Sequence, residues 1–220
     1  MSDYFLHSGS HDASEGKRCA MEWVAYIAGE PHSDSPACVS PVLKAFGIAL
    51  NDRWDDEQRQ KLRPYLARCI GTAGDGRDEE RAWLATDWLI REFTPAFLEL
   101  VPSIVPLAAK IRAHHPIQNT TDLNHATLLV NIARKDAAAA WTAAGTGAWA
   151  AAWAAAGTAA GTAAWDAAWT AAGTAAGDAL EPTVIRLQAS ALDLFDRMLP
   201  TETLPIDELI AARAMEVCNV

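Results

Sequence analysis

Apolar residues recur along this chain at three- and four-residue intervals, and strict apolar/polar alternation is hard to find anywhere, so the pattern predicts helices and almost no strand. Asp12 followed by Glu15 has capping-box spacing ahead of "GKRCAMEWVAYIA". There Met21, Val24, Ala25 and Ala28 fall on helical spacing, and the run ends at Gly29, a natural residue just past a helix end. "GEPHSDSPAC" carries two prolines with Asp and Ser and reads as a loop. Ser40 and Pro41 then supply an N-cap and a first helical residue for a helix through "VLKAFGIALNDRW".

A helical pattern around Leu62, Leu66 and Ile70 is kinked or restarted by Pro64. "TAGDGRDEE" is a turn, and from Asp78 a helix carrying Trp83, Leu84, Trp88 and Ile90 runs to Thr94-Pro95, where cap and N1 signals recur. Pro102, Pro106 and Pro116 cut the following stretch into short pieces, and a cap at Thr121 opens "LNHATLLVNIARK", which leads into the next segment without a breaker. Glu181-Pro182 closes that segment. Beyond it Val184, Leu187, Ala191, Leu194, Phe195 and Met198 share one face of an amphipathic helix, and "IDELIAARAMEV" makes a last short one.

Between these parts, residues 136–180 place Trp or Gly at every fourth position, from Trp141 through Gly145, Trp149, Trp153, Gly157, Gly161, Trp165, Trp169 and Gly173 to Gly177. Each four-residue step overshoots a helical turn by about 40°, so the anchors travel round the axis and leave no single apolar stripe. Each interior glycine also costs about 0.8–1 kcal/mol, which close helix packing would have to offset. Three arrangements satisfy the pattern: one long enclosed spine, a right-handed supercoil, or short stacked helices broken at Gly-Thr steps. Near-copies starting at Trp149 and Trp165 point to duplication, which replication slippage explains without requiring a function. The expectation is an all-α helical bundle built around a long or segmented Ala/Trp/Gly repeat helix. Its parts are an N-terminal helical portion (1–135), the repeat spine (136–180) and C-terminal helices (181–220), forming one cooperative unit. Trp141, Trp149, Trp153, Trp165, Trp169, Gly157 and Gly161 are the expected packing and oligomerisation residues.

A formal charge of −10, from 28 acidic and 18 basic residues in 220, argues against a nucleic-acid partner. Four dispersed cysteines without a CxxC pair fit a reducing cytoplasm rather than a disulfide scaffold, and the first residues lack a signal-peptide layout. The uncharged stretch 137–165 is long enough to span a bilayer but has no Leu, Ile, Val or Phe, so neither a membrane partner nor a membrane-spanning helix is expected.

Candidate chemistry gathers near the front: His7, His11, Cys19, His32, Asp34 and Cys38, with Glu22 and Glu30 as possible carboxylates. His7-x3-His11 could chelate if helical, but "HSGSH" favours a loop, and capping, loop hydrogen bonding and core thiols are the simpler reading. The compact polar loop holding Glu30, His32, Ser33, Asp34 and Cys38 is the expected binding surface, against the alternative of a rigid connector. A metal- or thiol-dependent enzyme centred on Cys19, His32, Asp34 and Cys38 is the rival reading, with Cys19, His32 and Cys38 as its candidate metal ligands. No P-loop, GxGxxG, GxSxG or HExxH motif occurs, so no catalytic residue and no cofactor are assigned.

"AMEWVAYIAGEPHSDSPACVSPVL" and "LQASALDLFDRML" together resemble a family of proteins from actinobacteria and their phages, in which such a front and end bracket a variable Ala/Trp-rich repeat. The family carries no assigned activity, so the resemblance transfers no catalytic residue. It implies a cytoplasmic protein of bacterial or phage origin. The combined expectation is a non-enzymatic binding and assembly protein that forms homo-oligomers and meets a host or viral protein.

Overall fold

The computed structural model describes the backbone of residues 4–144 and 177–201, with side chains there except at 134, 136–144 and 177–179. Among the described residues every regular element is a helix and no strand occurs. The α-helices are α1 (Ala20–Ala28), α2 (Pro41–Arg53), α3 (Asp56–Gln60), α4 (Leu66–Cys69), α5 (Asp78–Trp88), α6 (Thr94–Leu98), α7 (Val105–Arg112), α8 (Thr120–Ala144) and α9 (Gly177–Met198). The repeat anchors from Gly145 to Gly173, and with them Trp149, Trp153, Gly157, Gly161, Trp165 and Trp169, lie outside the described residues. So do the Trp141 side chain and the expected last helix.

Most boundaries follow local signals. Ser40 Oγ accepts from Leu43 N (3.5 Å) and Pro41 opens α2. Gly29 adopts the left-handed conformation, φ 75°, closing α1 as its N–H donates back to Ala25 and Tyr26. After α3, Pro64 sits in a 3-10 turn, Arg63–Tyr65, and helix restarts at α4.

Three boundaries differ from the expectation. The Asp12–Glu15 pair caps only a 3-10 turn, Ala13–Glu15, because Gly16 turns left-handed (φ 70°) and ends it. α1 begins four residues later at a box made by Cys19 and Glu22: Cys19 N donates to Glu22 Oε2 (2.7 Å) and Glu22 N to Cys19 Sγ (3.4 Å). α8 starts ahead of Thr121, since Asn119 Oδ1 accepts from Asp122 N (3.0 Å). α9 starts at Gly177 and takes Pro182 inside, where the proline forgoes one helical hydrogen bond near the helix start. Pro95 is accommodated differently. A π-type turn, Leu89–Phe93, joins α5 to α6, with Thr94 N bonded to Leu89 O, so the wider turn comes just before the ring that a regular helix would crowd.

The chain divides into two compact units, Met1–Arg81 with Leu192–Val220, and Ala82–Ala191. The division falls inside α5 and α9 rather than at the composition changes near 135 and 181. In the first unit α1 packs on α2 and α4, and α2 on α3. Its core holds Leu6, Met21, Val24, Leu43, Leu50, Leu62, Leu66 and Phe195, with Phe195 flanked by Phe46 (5.9 Å between ring centroids) and Tyr65 (5.7 Å). Arg81 is fully buried there. It forks onto Asp75 (2.7 and 2.5 Å) and donates through Nε to Met198 O (2.9 Å).

The second unit is built on a cluster of Leu98, Ile104, Ala108, Ile111 and Ala133, with Leu129 and Val130 packed against it. Glu99 accepts from Arg112 (2.8 Å) and Arg186 (3.2 Å), tying α7 and α9 to the end of α6. Within α9, Leu187, Ala191, Leu194, Phe195 and Met198 are buried, as the 3.6-residue period requires, and Val184 is half-buried.

Candidate functional site

Residues 4–11 form an arm without helix or strand, bent at Ser8 and Gly9, where Gly9 is left-handed (φ 79°), so its N–H and C=O groups need other partners. Side chains of the first unit provide them. Gln60, the last residue of α3, grips Leu6 from both sides: Leu6 N donates to Oε1 (2.9 Å) and Nε2 donates to Leu6 O (3.0 Å). Trp23 Nε1 donates to Phe5 O (3.1 Å), and Asn51 Nδ2 to His7 O (2.9 Å). Gly9 N donates to Asp52 Oδ1 (2.8 Å), and His7 N to the main-chain Arg18 O (2.9 Å).

From Tyr4 to Leu6 the arm's side chains alternate, as in an extended chain. Tyr4 and Leu6 are buried, while Phe5 between them is 43% exposed. Tyr4 meets the Trp23 ring edge-on (5.2 Å), and the Arg63 guanidinium lies 4.1 Å from its own ring centre. Asn51 organises the groove. It sits on the buried stripe of α2 with Leu43, Gly47 and Leu50, takes Ala20 N on Oδ1 (3.1 Å), and so joins the start of α1 to the arm.

Where the arm ends, Glu22 collects donors. Its carboxylate is 1% exposed and accepts from His11 N (2.6 Å), His11 Nδ1 (3.1 Å) and Cys19 N (2.7 Å). Burial pushes the carboxyl up, but the His11 and Cys19 donors outweigh it and the net pKa is lowered. His32 Nε2 lies 2.6 Å from His11 O, a contact that requires the proton on that nitrogen, and 3.6 Å from Glu22 Oε1. His7 meets His11 edge-on at 5.8 Å, and burial together with the His11 charge lowers its pKa. Three members of the front cluster, His11, Cys19 and His32, are thus brought round Glu22, with His7 set against His11.

Cys38 and Asp34 are not part of that group. Glu30 accepts from Ala37 N (2.6 Å) and Cys38 N (2.8 Å), closing the 30–38 loop on itself. Its carboxyl is held low, first by the hydrogen bond from Cys38. Ser33 Oγ accepts from Ser35 N (3.0 Å), and Asp34 is exposed. Other polar groups of the loop reach outside it: His32 to His11 O, Ser35 Oγ to the donor Lys44 Nζ (3.3 Å) and Cys38 O to the donor Ala73 N (3.0 Å).

Burial, reinforced by Glu30, raises the Cys38 thiol to about 11, and burial raises Cys19 and Cys69 to about 12. A thiolate nucleophile needs the opposite shift. Among the described residues no group of three His, Cys, Asp or Glu side chains is placed to hold a metal ion, so Cys19, His32 and Cys38 do not form one. Among the same residues no helix is long and apolar enough to cross a membrane.

Fold and site together define an all-α protein whose arm is seated in a groove of side-chain amides and carboxylates. No protein-family model, curated protein or solved structure matches the chain.

Proposed function

We propose that the protein is a non-enzymatic binding and assembly protein that self-associates and engages a host or viral protein, an accessory role in an actinobacterium or its phage. The observation that carries this reading is on α8. Ala126 and Ala133 are buried and Leu129 and Val130 half-buried on one side, while Leu128 (63% exposed) and Ile132 (49%) face outward one turn apart. They lie about 200° and 240° round the helix from Ala126, two aliphatic side chains on an outer face otherwise formed by Thr121, Asn124, His125, Asn131 and Lys135. Single exposed aliphatic residues are ordinary, but a pair on one helix face is a place for a partner. The same helix leads in sequence straight into the Ala/Trp/Gly segment, whose pattern also calls for neighbours on every side. The rival enzyme reading finds less support, because the described thiols are held protonated.

The test is light scattering on the full chain at rising concentration, beside the Leu128→Glu/Ile132→Glu double variant. The mass of the native chain should rise above that of one chain, and the variant should associate less. A native mass that stays at one chain throughout overturns the reading.

A further inference from the structure

The groove round the arm reads main chain rather than side chains. From Phe5 to Gly9, four of the arm's amide and carbonyl groups are met by the side chains of Trp23, Gln60 and Asn51, and a fifth, Gly9 N, by Asp52. Specificity comes from two alternate anchors, Tyr4 and Leu6, buried two positions apart. This is the division of labour by which proteins hold extended peptides: main-chain bonds hold the segment, and alternate pockets select it. Every one of these partners lies after the short connector Asp12–Lys17, all of whose residues are exposed. The connector contains one 3-10 turn with a local Asp12 N to Glu15 Oε1 bond (3.1 Å) and the left-handed Gly16. Straightening it disturbs no buried residue of the connector itself, and its six residues can extend to about 20 Å. An arm arriving from another molecule would meet the same Gln60, Asn51, Trp23 and Glu22 contacts, so exchange conserves them and protein concentration sets the balance.

We propose that the Gln60–Asn51–Trp23 groove receives the Tyr4–His11 arm of a second copy of the chain, so that two molecules exchange arms and lock as a pair. This rests on the self-association reading above and names its contact.

A fluorescein-labelled peptide of sequence SDYFLHSGSHD, titrated into the full-length chain and followed by anisotropy, tests it. The native chain binds weakly, because its own arm competes. Full-length Leu6→Ala and, separately, Tyr4→Ala loosen that arm and bind the peptide about tenfold tighter or more. Adding Gln60→Ala to either removes the gain. In light scattering the native pair dissociates in Leu6→Ala and Tyr4→Ala. Arm variants that keep the native circular dichroism yet bind the peptide no tighter overturn the proposal, and Tyr4→Ala decides the matter if Leu6→Ala fails to fold. A pair that survives both arm variants but falls apart in Leu128→Glu/Ile132→Glu overturns arm exchange and leaves self-association standing. A native chain that never pairs overturns both.

Discussion

Replacing Glu22 by Gln is the sharpest probe of how the arm is held. The substitution keeps the shape and removes the charge, and it exchanges one acceptor oxygen for an NH2 group. In the native chain Oε1 takes His11 N (2.6 Å) while Oε2 takes Cys19 N (2.7 Å) and His11 Nδ1 (3.1 Å). Whichever way the amide turns, a donor then faces at least one buried N–H. Hydrogen bonds to a charged group contribute about 1.5–3 kcal/mol each, so losing one outright and weakening the others costs roughly 2–4 kcal/mol. For a chain of this size that corresponds to a melting temperature lower by about 5–15 °C. The effect should be local as well: in native-state hydrogen exchange, the amides of His11 and Cys19 lose protection while those in the interior of α7 do not.

The pH dependence follows from the sign of the shift. A carboxyl whose folded pKa is lowered stabilises the fold fully above its unfolded value, 4.5, and that contribution disappears as pH falls through the folded value. The stability gap between native chain and Glu22→Gln should therefore narrow as the buffer is taken below about pH 5. An unchanged melting temperature with both amides still protected would refute the account of Glu22 as the clasp of the arm.

Other outcomes follow from the same packing. Arg81→Lys should lower stability by about 2–4 kcal/mol in chemical denaturation, because an ammonium cannot fork onto Asp75 while also reaching Met198 O; an unchanged midpoint would count against the buried fork. Gly47→Ala should be close to neutral: a new Cβ would stand 2.9 Å from the flexible Met21 Cε, a strain set against a helix-propensity gain of about 1 kcal/mol, whereas Gly47→Leu should destabilise by more than about 2 kcal/mol in the same assay. Iodoacetamide at pH 8 should leave Cys19, Cys38 and Cys69 unmodified in the folded chain and label them in urea, as read by peptide mass mapping; rapid labelling of Cys38 in native buffer would contradict the burial and Glu30 bond that hold its thiol at about 11.

Much of the helical layout was legible along the chain because caps, prolines and amphipathic stripes act within one or two turns. Ser40-Pro41, Gly29 and the α9 stripe from Leu187 to Met198 needed nothing beyond their neighbours. The same locality explains the errors. Asp12 and Glu15 have the spacing of a helix start, but Gly16 ends the turn and Arg18 O is taken by His7 N, so α1 waits for Cys19. The arm had no periodic signature at all, since its bonding partners, such as Gln60 for Leu6, stand 54 positions away. The one local hint was Asn51, a polar residue on the otherwise apolar stripe of α2. Histidines, thiols and carboxylates were visible as a cluster, but only folding sorted them. It put His11, Cys19 and His32 round Glu22, turned Cys38 to Glu30 and buried Arg81 against Asp75. Composition and periodicity determine which segments coil and which face each hides. Which distant side chain meets an unpaired amide is decided only when the helix ends are brought together, because a hydrogen bond needs its partners within about 3 Å and no sequence spacing encodes that distance.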